Sequence, residues 1–120
     1  MSVSRFPRYV YDEGAEPDVR FTLANERTFL AWIRTGLALI AAGVALEALG
    51  LPLNPGLRLA ASVVLLLLGI TVSALAYVEW ARTERALRHS APLPSSPVLV
   101  VLAAGATLTG VLVLLAIAFR

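Results

Sequence analysis

The sequence predicts an all-α integral membrane protein whose three transmembrane helices assemble as a homo-oligomeric bundle, and three observations carry the three-span part of that expectation. Of 120 residues, 58% are hydrophobic and only 15% charged, a balance too apolar for a soluble domain of this size. The apolar residues gather into three long runs, each able at about 1.5 Å per residue to cross a hydrocarbon core about 30 Å thick. Short breaks dense in Pro, Gly and Asn separate the runs. Inside lipid every backbone N–H and C=O must be satisfied without water, which favours helices over open strands.

Residues 1–21 form a polar cytoplasmic tail in which Asp12, Glu13, Gly14, Glu16, Pro17 and Asp18 mix acids with helix breakers, and only a mobile or interfacial arm is expected there. Arg5 and Arg8 precede no apolar run, so the tail does not read as a cleaved secretory signal and is expected to stay on the protein. Residues 22–120 make the membrane domain. Its first helix is expected over about 24–50, nearly all apolar from Thr28 to Gly50. The run Leu51-Pro52-Leu53-Asn54-Pro55-Gly56 then turns the chain. Asn54 is placed to cap the second helix and Pro55 to open it, because the first helical turn has no intrahelical use for the N–H that proline lacks. That helix, about 55–88, is apolar from Leu57 to Tyr77 and continues through the charged segment from Glu79 to His89, so it projects beyond the bilayer with Trp80 at the interface. A proline-rich link follows from Ser90, in which Ser96 can cap, and the third helix runs over about 97–119.

Charge sets the orientation. Arg5, Arg8, Arg20 and Arg27 precede the first helix and Arg82, Arg85 and Arg88 follow the second, against Arg58 and Arg120 on the other side. Positive charge is retained on the cytoplasmic side during insertion, so the chain is expected in the inner (plasma) membrane, N-terminus inside and C-terminus outside. All ten basic residues are Arg, yet the net charge is only +2, which gives no bulk field for nucleic acid. With no Cys, disulfides and thiolate metal sites are closed off. His89 stands alone in a loop, no Ser sits in a nucleophile turn and no Gly-rich phosphate loop occurs. Neither a metal, a cofactor nor catalysis by this chain is expected.

Arg34 lies inside the first apolar run, where an ionisable group is costly. It stands seven positions beyond Arg27, about 10 Å along the axis. It can snorkel toward the interface, since helical side chains lean toward the N-terminus, or line a polar interior; the residues leave both open. Arg20, Arg27 and Arg34 share one stripe at seven-residue spacing, continued by Ala31, Ala38, Ala41 and Ala45. Gly36, Gly43 and Gly50 mark another, and small residues on either face let a neighbouring helix approach. Glu47, near the outer end, is expected to pair with Arg58. At the inner interface Glu26, Glu79 and Glu84 lie near Arg27, Arg82, Arg85 and Arg88, and inter-helix ion pairs among Glu26, Glu79, Arg82 and Arg85 are expected to orient the bundle. The segment from Arg82 to Arg88 can also attract anionic lipid headgroups, at about 1 kcal/mol per basic residue.

From Leu23 to Thr35 the sequence reads Leu-Ala-Asn-Glu-Arg-Thr-Phe-Leu-Ala-Trp-Ile-Arg-Thr, which resembles the signature of the YidH-like small bacterial membrane proteins, a family defined by a domain of unknown function. The resemblance extends over roughly Arg20 to Phe119, mostly as hydrophobic pattern outside the signature, and leaves the tail uncovered. That domain in turn resembles the membrane part of the eukaryotic vacuolar transporter chaperone, which polymerises phosphate and passes polyphosphate through a ring of three-helix units. The resemblance implies a homo-oligomer with a channel-like basic path for phosphate, polyphosphate or other anions. Arg20 and Arg27 match basic residues facing that family's pore, and Glu26 matches the acidic residue that ties the first helix to neighbouring basic groups. Arg34 departs from the pattern, since those relatives can carry a neutral residue there. The polymerase and phosphate-sensing domains have no counterpart in this sequence, so synthesis is not implied. A structural or accessory role is the alternative: the same Arg and Glu residues would lock the chain against a larger membrane partner, and the small-residue faces suit that equally.

Overall fold

The computed structural model describes residues 5–120; the first four residues of the expected tail lie outside the described residues. Those described form four helices, α1 (Arg8–Tyr11), α2 (Val19–Ala48), α3 (Pro55–Arg88) and α4 (Pro97–Ala118). The last three are each long and apolar enough to cross a membrane, and the chain is an all-helical membrane protein about three times as long as it is wide, 64 by 24 by 21 Å.

Local chemistry sets the helix ends. α2 begins at Val19, ahead of the apolar run, because Asp18 acts as its N-cap and accepts from the Arg20 backbone N–H at 2.9 Å. It closes through Leu49 and Gly50, whose N–H groups return to Ala45 and Glu47 carbonyls. Gly50 takes φ +57°, the left-handed conformation that ends many helices and that glycine adopts without a Cβ penalty. Asn54 caps α3 by accepting from the Leu57 N–H at 3.1 Å, with Pro55 in the first turn. Ser96 occupies the N-cap position of α4, but its hydroxyl makes no capping bond, contrary to expectation. Pro97 opens the helix in its first turn, as expected.

α3 is the centre of the assembly. It packs against α2 on one side and α4 on the other, and α2 and α4 form no packed pair among the described residues. Ten residues of α3 are buried, against three of α2 and two of α4, so one chain forms an open layer of three helices and leaves most of two of them uncovered. Leu68 and Val72 of α3 meet Val98 of α4 in the core, with Trp32 and Leu39 of α2 against them.

The α2–α3 contact is close because both partners are small there. A Cβ built on Gly69 would lie 2.7 Å from the Gly36 carbonyl oxygen, a collision no side chain could relieve. Deeper in the pair, the buried Ser62 hydroxyl donates to the Gly43 carbonyl. The glycine face of α2 is therefore consumed within the chain by α3, while Gly50 serves the helix end. The alanine and arginine stripe stays uncovered, beside an exposed apolar stripe of Leu30, Leu37 and Val44.

The tail is folded, which the sequence did not lead one to expect. Its one-turn helix α1 packs on α3, and the residues after it close onto the α3 carboxyl end, where the Ala15 N–H donates to the Arg88 carbonyl at 2.8 Å. Gly14 makes this approach possible. Its φ is +60°, and a Cβ there would collide with the Arg88 carbonyl.

Candidate functional site

The three arginines of the predicted stripe fall on one exposed side of α2. The residues α2 buries, Asn25, Gly36 and Gly43, lie on the opposite side of the helix, as the 3.6-residue period requires. Arg20, nearest the tail, makes a bidentate contact with Asp18 at 2.9 and 3.2 Å. That contact and the Arg20 backbone N–H hold the Asp18 carboxyl below the ordinary carboxylate range, the guanidinium contributing most. Arg20 is thus part of the helix cap as well as the stripe. Neither Arg27 nor Arg34 has an acidic partner among the described residues.

The inter-helix ion pairs expected at the inner interface do not form among the described residues. Glu26 and Arg85 are exposed and pair with nothing acidic or basic there, and Arg82 contacts Glu79 only along α3 itself, at 3.7 Å. The reason is rotational position. Glu26 lies on a side of α2 turned away from α3, and Arg82 and Arg85 lie on the solvent side of α3, whereas Glu84 is the carboxylate that faces α2.

Glu84 is 1% exposed and is held by neutral donors. The Thr22 hydroxyl donates to one carboxylate oxygen at 2.9 Å and the Asn25 amide to the other at 3.1 Å. The same amide reaches the Trp80 carbonyl at 3.0 Å. A buried carboxylate satisfied this way pins α2 to α3 just inside the charged end. One turn further, Arg88 is buried to 8% exposure and clamps the tail. Its guanidinium donates to the Tyr11 and Glu13 carbonyls, both at 2.7 Å, and to the Glu16 carboxylate at 2.9 Å. It also stands over the Tyr11 ring, 5.6 Å from its centroid. Glu16 additionally meets Arg5. Arg88 first and Arg5 second keep its carboxyl below the usual range.

Above this polar layer an aromatic group surrounds Trp80, with Tyr77, Tyr11 and Phe29 centred 5.8, 6.2 and 6.5 Å away. At the other end of the span, Glu47 meets Arg58 at 3.3 Å, the pairing expected of them, and Arg58 also donates to the Leu51 carbonyl at 2.7 Å. Sequence reading missed the roles of Asn25 and Thr22, and of Arg88 as a tail anchor. The usable signal was a polar side chain, Asn25, at a position that the periodicity of α2 turns inward. No group of three or more metal-binding side chains stands together among the described residues.

Residues 20–86 match the family described as Domain of unknown function (DUF202). An uncharacterized protein of Mycobacterium tuberculosis (strain ATCC 25618 / H37Rv) is 48% identical over 100 residues, covering 82% of each chain. The inner membrane protein YidH of Escherichia coli (strain K12) is 39% identical over 90 residues, 74% of this chain and 78% of the relative. No solved structure matches significantly.

Proposed function

The chain belongs to the DUF202 family, and we propose that it is an inner-membrane protein whose α2 helices, in a homo-oligomer, surround a basic path for phosphate-like anions. The membrane assigned to it is that of its named relative, inner membrane protein YidH. The excess of Arg before α2 and after α3 supports a cytoplasmic N-terminus and an external C-terminus.

The observation that carries the reading is the uncovered face of α2. Arg34 stands within the span with no acidic partner among the described residues, on the side α3 leaves free. An Arg at the centre of a membrane helix costs about 2.5–3.5 kcal/mol, and that cost falls if copies of α2 turn this face toward each other around water and anions. Ala31, Ala38 and Ala41 on the same exposed face are small enough for such an approach. Guanidinium groups bind phosphate oxygens bidentately, and rings of Arg select anions. Arg20, held by Asp18, marks the mouth of the path, and selection rests on Arg27 and Arg34. No catalytic step is assigned to the chain.

The test combines the mass of the purified chain in lipid nanodiscs with phosphate and polyphosphate release from loaded liposomes. A symmetric oligomer with saturable release, reduced about ten-fold or more in an Arg27→Ala/Arg34→Ala double variant that still assembles, is the expected result. A monomer without anion release, recovered from membranes with a stoichiometric larger partner, would replace this reading with the accessory one.

A further inference from the structure

Glu79 does something its neighbour Glu84 does not. Five residues before that fully satisfied carboxylate, Glu79 is 9% exposed, and its Oε1 is buried with no hydrogen-bond partner among the described residues. An unpaired buried carboxylate oxygen is expensive. Arg82 reaches it only at 3.7 Å, from a side chain half exposed on the surface. Partial neutralisation of that kind leaves the oxygen without a donor.

Glu79 also lines a recess of about 280 Å³ between α2, α3 and the link before α4, just below the usual range for small-molecule sites of about 300–1,000 Å³. Its walls include the rings of Phe29, Trp32 and Trp80, and the hydroxyl-bearing Thr83 and Ser96. No basic residue among those described lines it; Arg82, Arg85 and His89 line a separate recess on the far side of Pro94, which both share. One carboxylate, three aromatic rings and hydroxyl acceptors, with no cation, are complementary to a positive charge that carries N–H donors. Aromatic faces attract ammonium groups through their quadrupole, most strongly where water is excluded.

We propose that the recess bounded by Glu79, Phe29, Trp32 and Trp80 binds a primary ammonium group, donated to the Glu79 carboxylate and packed against the rings. The site is independent of the Arg27 and Arg34 face, which lies on the other side of α2. Its place beside Trp80, at the level where the apolar run ends, allows two sources for the group. One is an ethanolamine-type lipid headgroup, whose phosphate would reach Arg85 across Pro94; the other is a free organic amine.

Both tryptophans of the chain line the recess, so intrinsic fluorescence of the detergent-purified full chain reads occupancy directly. Ethylammonium chloride, short-chain phosphatidylethanolamine, phosphatidylcholine and phosphatidylglycerol are titrated in parallel. A saturable change with phosphatidylethanolamine, weaker with phosphatidylcholine and absent with phosphatidylglycerol, supports the site and assigns it to lipid if ethylammonium alone does not bind. Saturation by ethylammonium as well assigns it to free amines. Glu79→Gln is expected to weaken either ligand at least about ten-fold. Arg82→Ala, which removes the competing cation and leaves the recess walls intact, is expected to tighten binding, an effect that a merely structural Glu79 would not produce. No saturable ammonium response, or full binding by Glu79→Gln together with no gain in Arg82→Ala, overturns the proposal.

Discussion

The two ends of the helical layer are held by different kinds of contact. At the α2–α3 turn, the outer end under the proposed orientation, the contacts are mostly short-range and use backbone groups. Asn54 caps α3 three residues on, Arg58 meets Glu47 across the turn, and the same Asn54 donates to the α4 end, its backbone N–H to the Ala116 carbonyl and its amide to the Phe119 carbonyl. At the inner end the contacts are side chains far apart in sequence. Glu84 joins Thr22 and Asn25 from about sixty residues away, and Arg88 reaches back more than seventy residues to the tail. A turn can be stapled by what lies beside it, whereas two helix ends that meet only after folding need complementary groups placed by the helical period.

Breaking the inner contact is expected to have the largest effect. Glu84→Ala removes the shared acceptor, leaves Thr22 without its partner and opens space in a buried layer. A loss of about 2–3 kcal/mol is expected, read as a shift in reversible unfolding in mixed detergent. Glu84→Gln should lose less, since one carbonyl still accepts. In a double-mutant cycle with Asn25→Ala the two losses should fall short of adding, because each removes the same bond. Full additivity would mean that the two residues stabilise the protein independently, and the account of the inner end would be wrong.

The contrast also explains what could be read from the sequence. The three spans, the cap at Asn54 and the Glu47–Arg58 pair follow from runs, breakers and near neighbours, all local quantities. The exposed Arg27 and Arg34 stripe follows from helical periodicity on a single helix. What could not be read was which carboxylate of α3 would turn toward α2. Glu79 and Glu84 are five positions apart, and the choice depends on a crossing fixed by Gly36 and Gly69, far down the span. Proximity to arginines in sequence pointed to ion pairs, but the interface selected uncharged donors. The tail shows the same limit: its composition argues for disorder, and only the buried guanidinium of Arg88 and the left-handed Gly14 give its carbonyls a place to bond.

At the outer end, Asn54→Ala is expected to cost about 1 kcal/mol, the usual worth of an N-cap. Asn54→Asp sharpens the test. It keeps the oxygen that accepts from Leu57 but loses the amide that donates to Phe119, so stability should return close to the native value if the cap dominates. If Asp behaves like Ala, the link to the α4 end is the larger contribution, and the outer end would resemble the inner one in depending on long-range side-chain contact.

The smallest effect should come from pH and should be confined to the tail. The carboxyl of Glu16 is held below its ordinary value, chiefly by Arg88 and then by Arg5. A depressed value in the docked state means that Glu16 favours docking fully above the free carboxylate pKa of about 4.3 and loses that contribution as pH falls through the lower docked value. Acidification from neutrality should therefore leave the tail docked until about pH 4.5 and release it below, without unfolding the spans. Limited proteolysis between residues 12 and 18 at graded pH, using a protease active in acid, would show new cleavage only in that window. Glu16→Gln should cut at all pH values with most of the acid step gone. An acid step of undiminished size in Glu16→Gln would assign the pH response to the Asp18 cap instead, whose carboxyl is likewise held low. Arg88→Ala removes the clamp itself and should expose the tail more than either, because three donors are lost together where Glu16→Gln loses one charge.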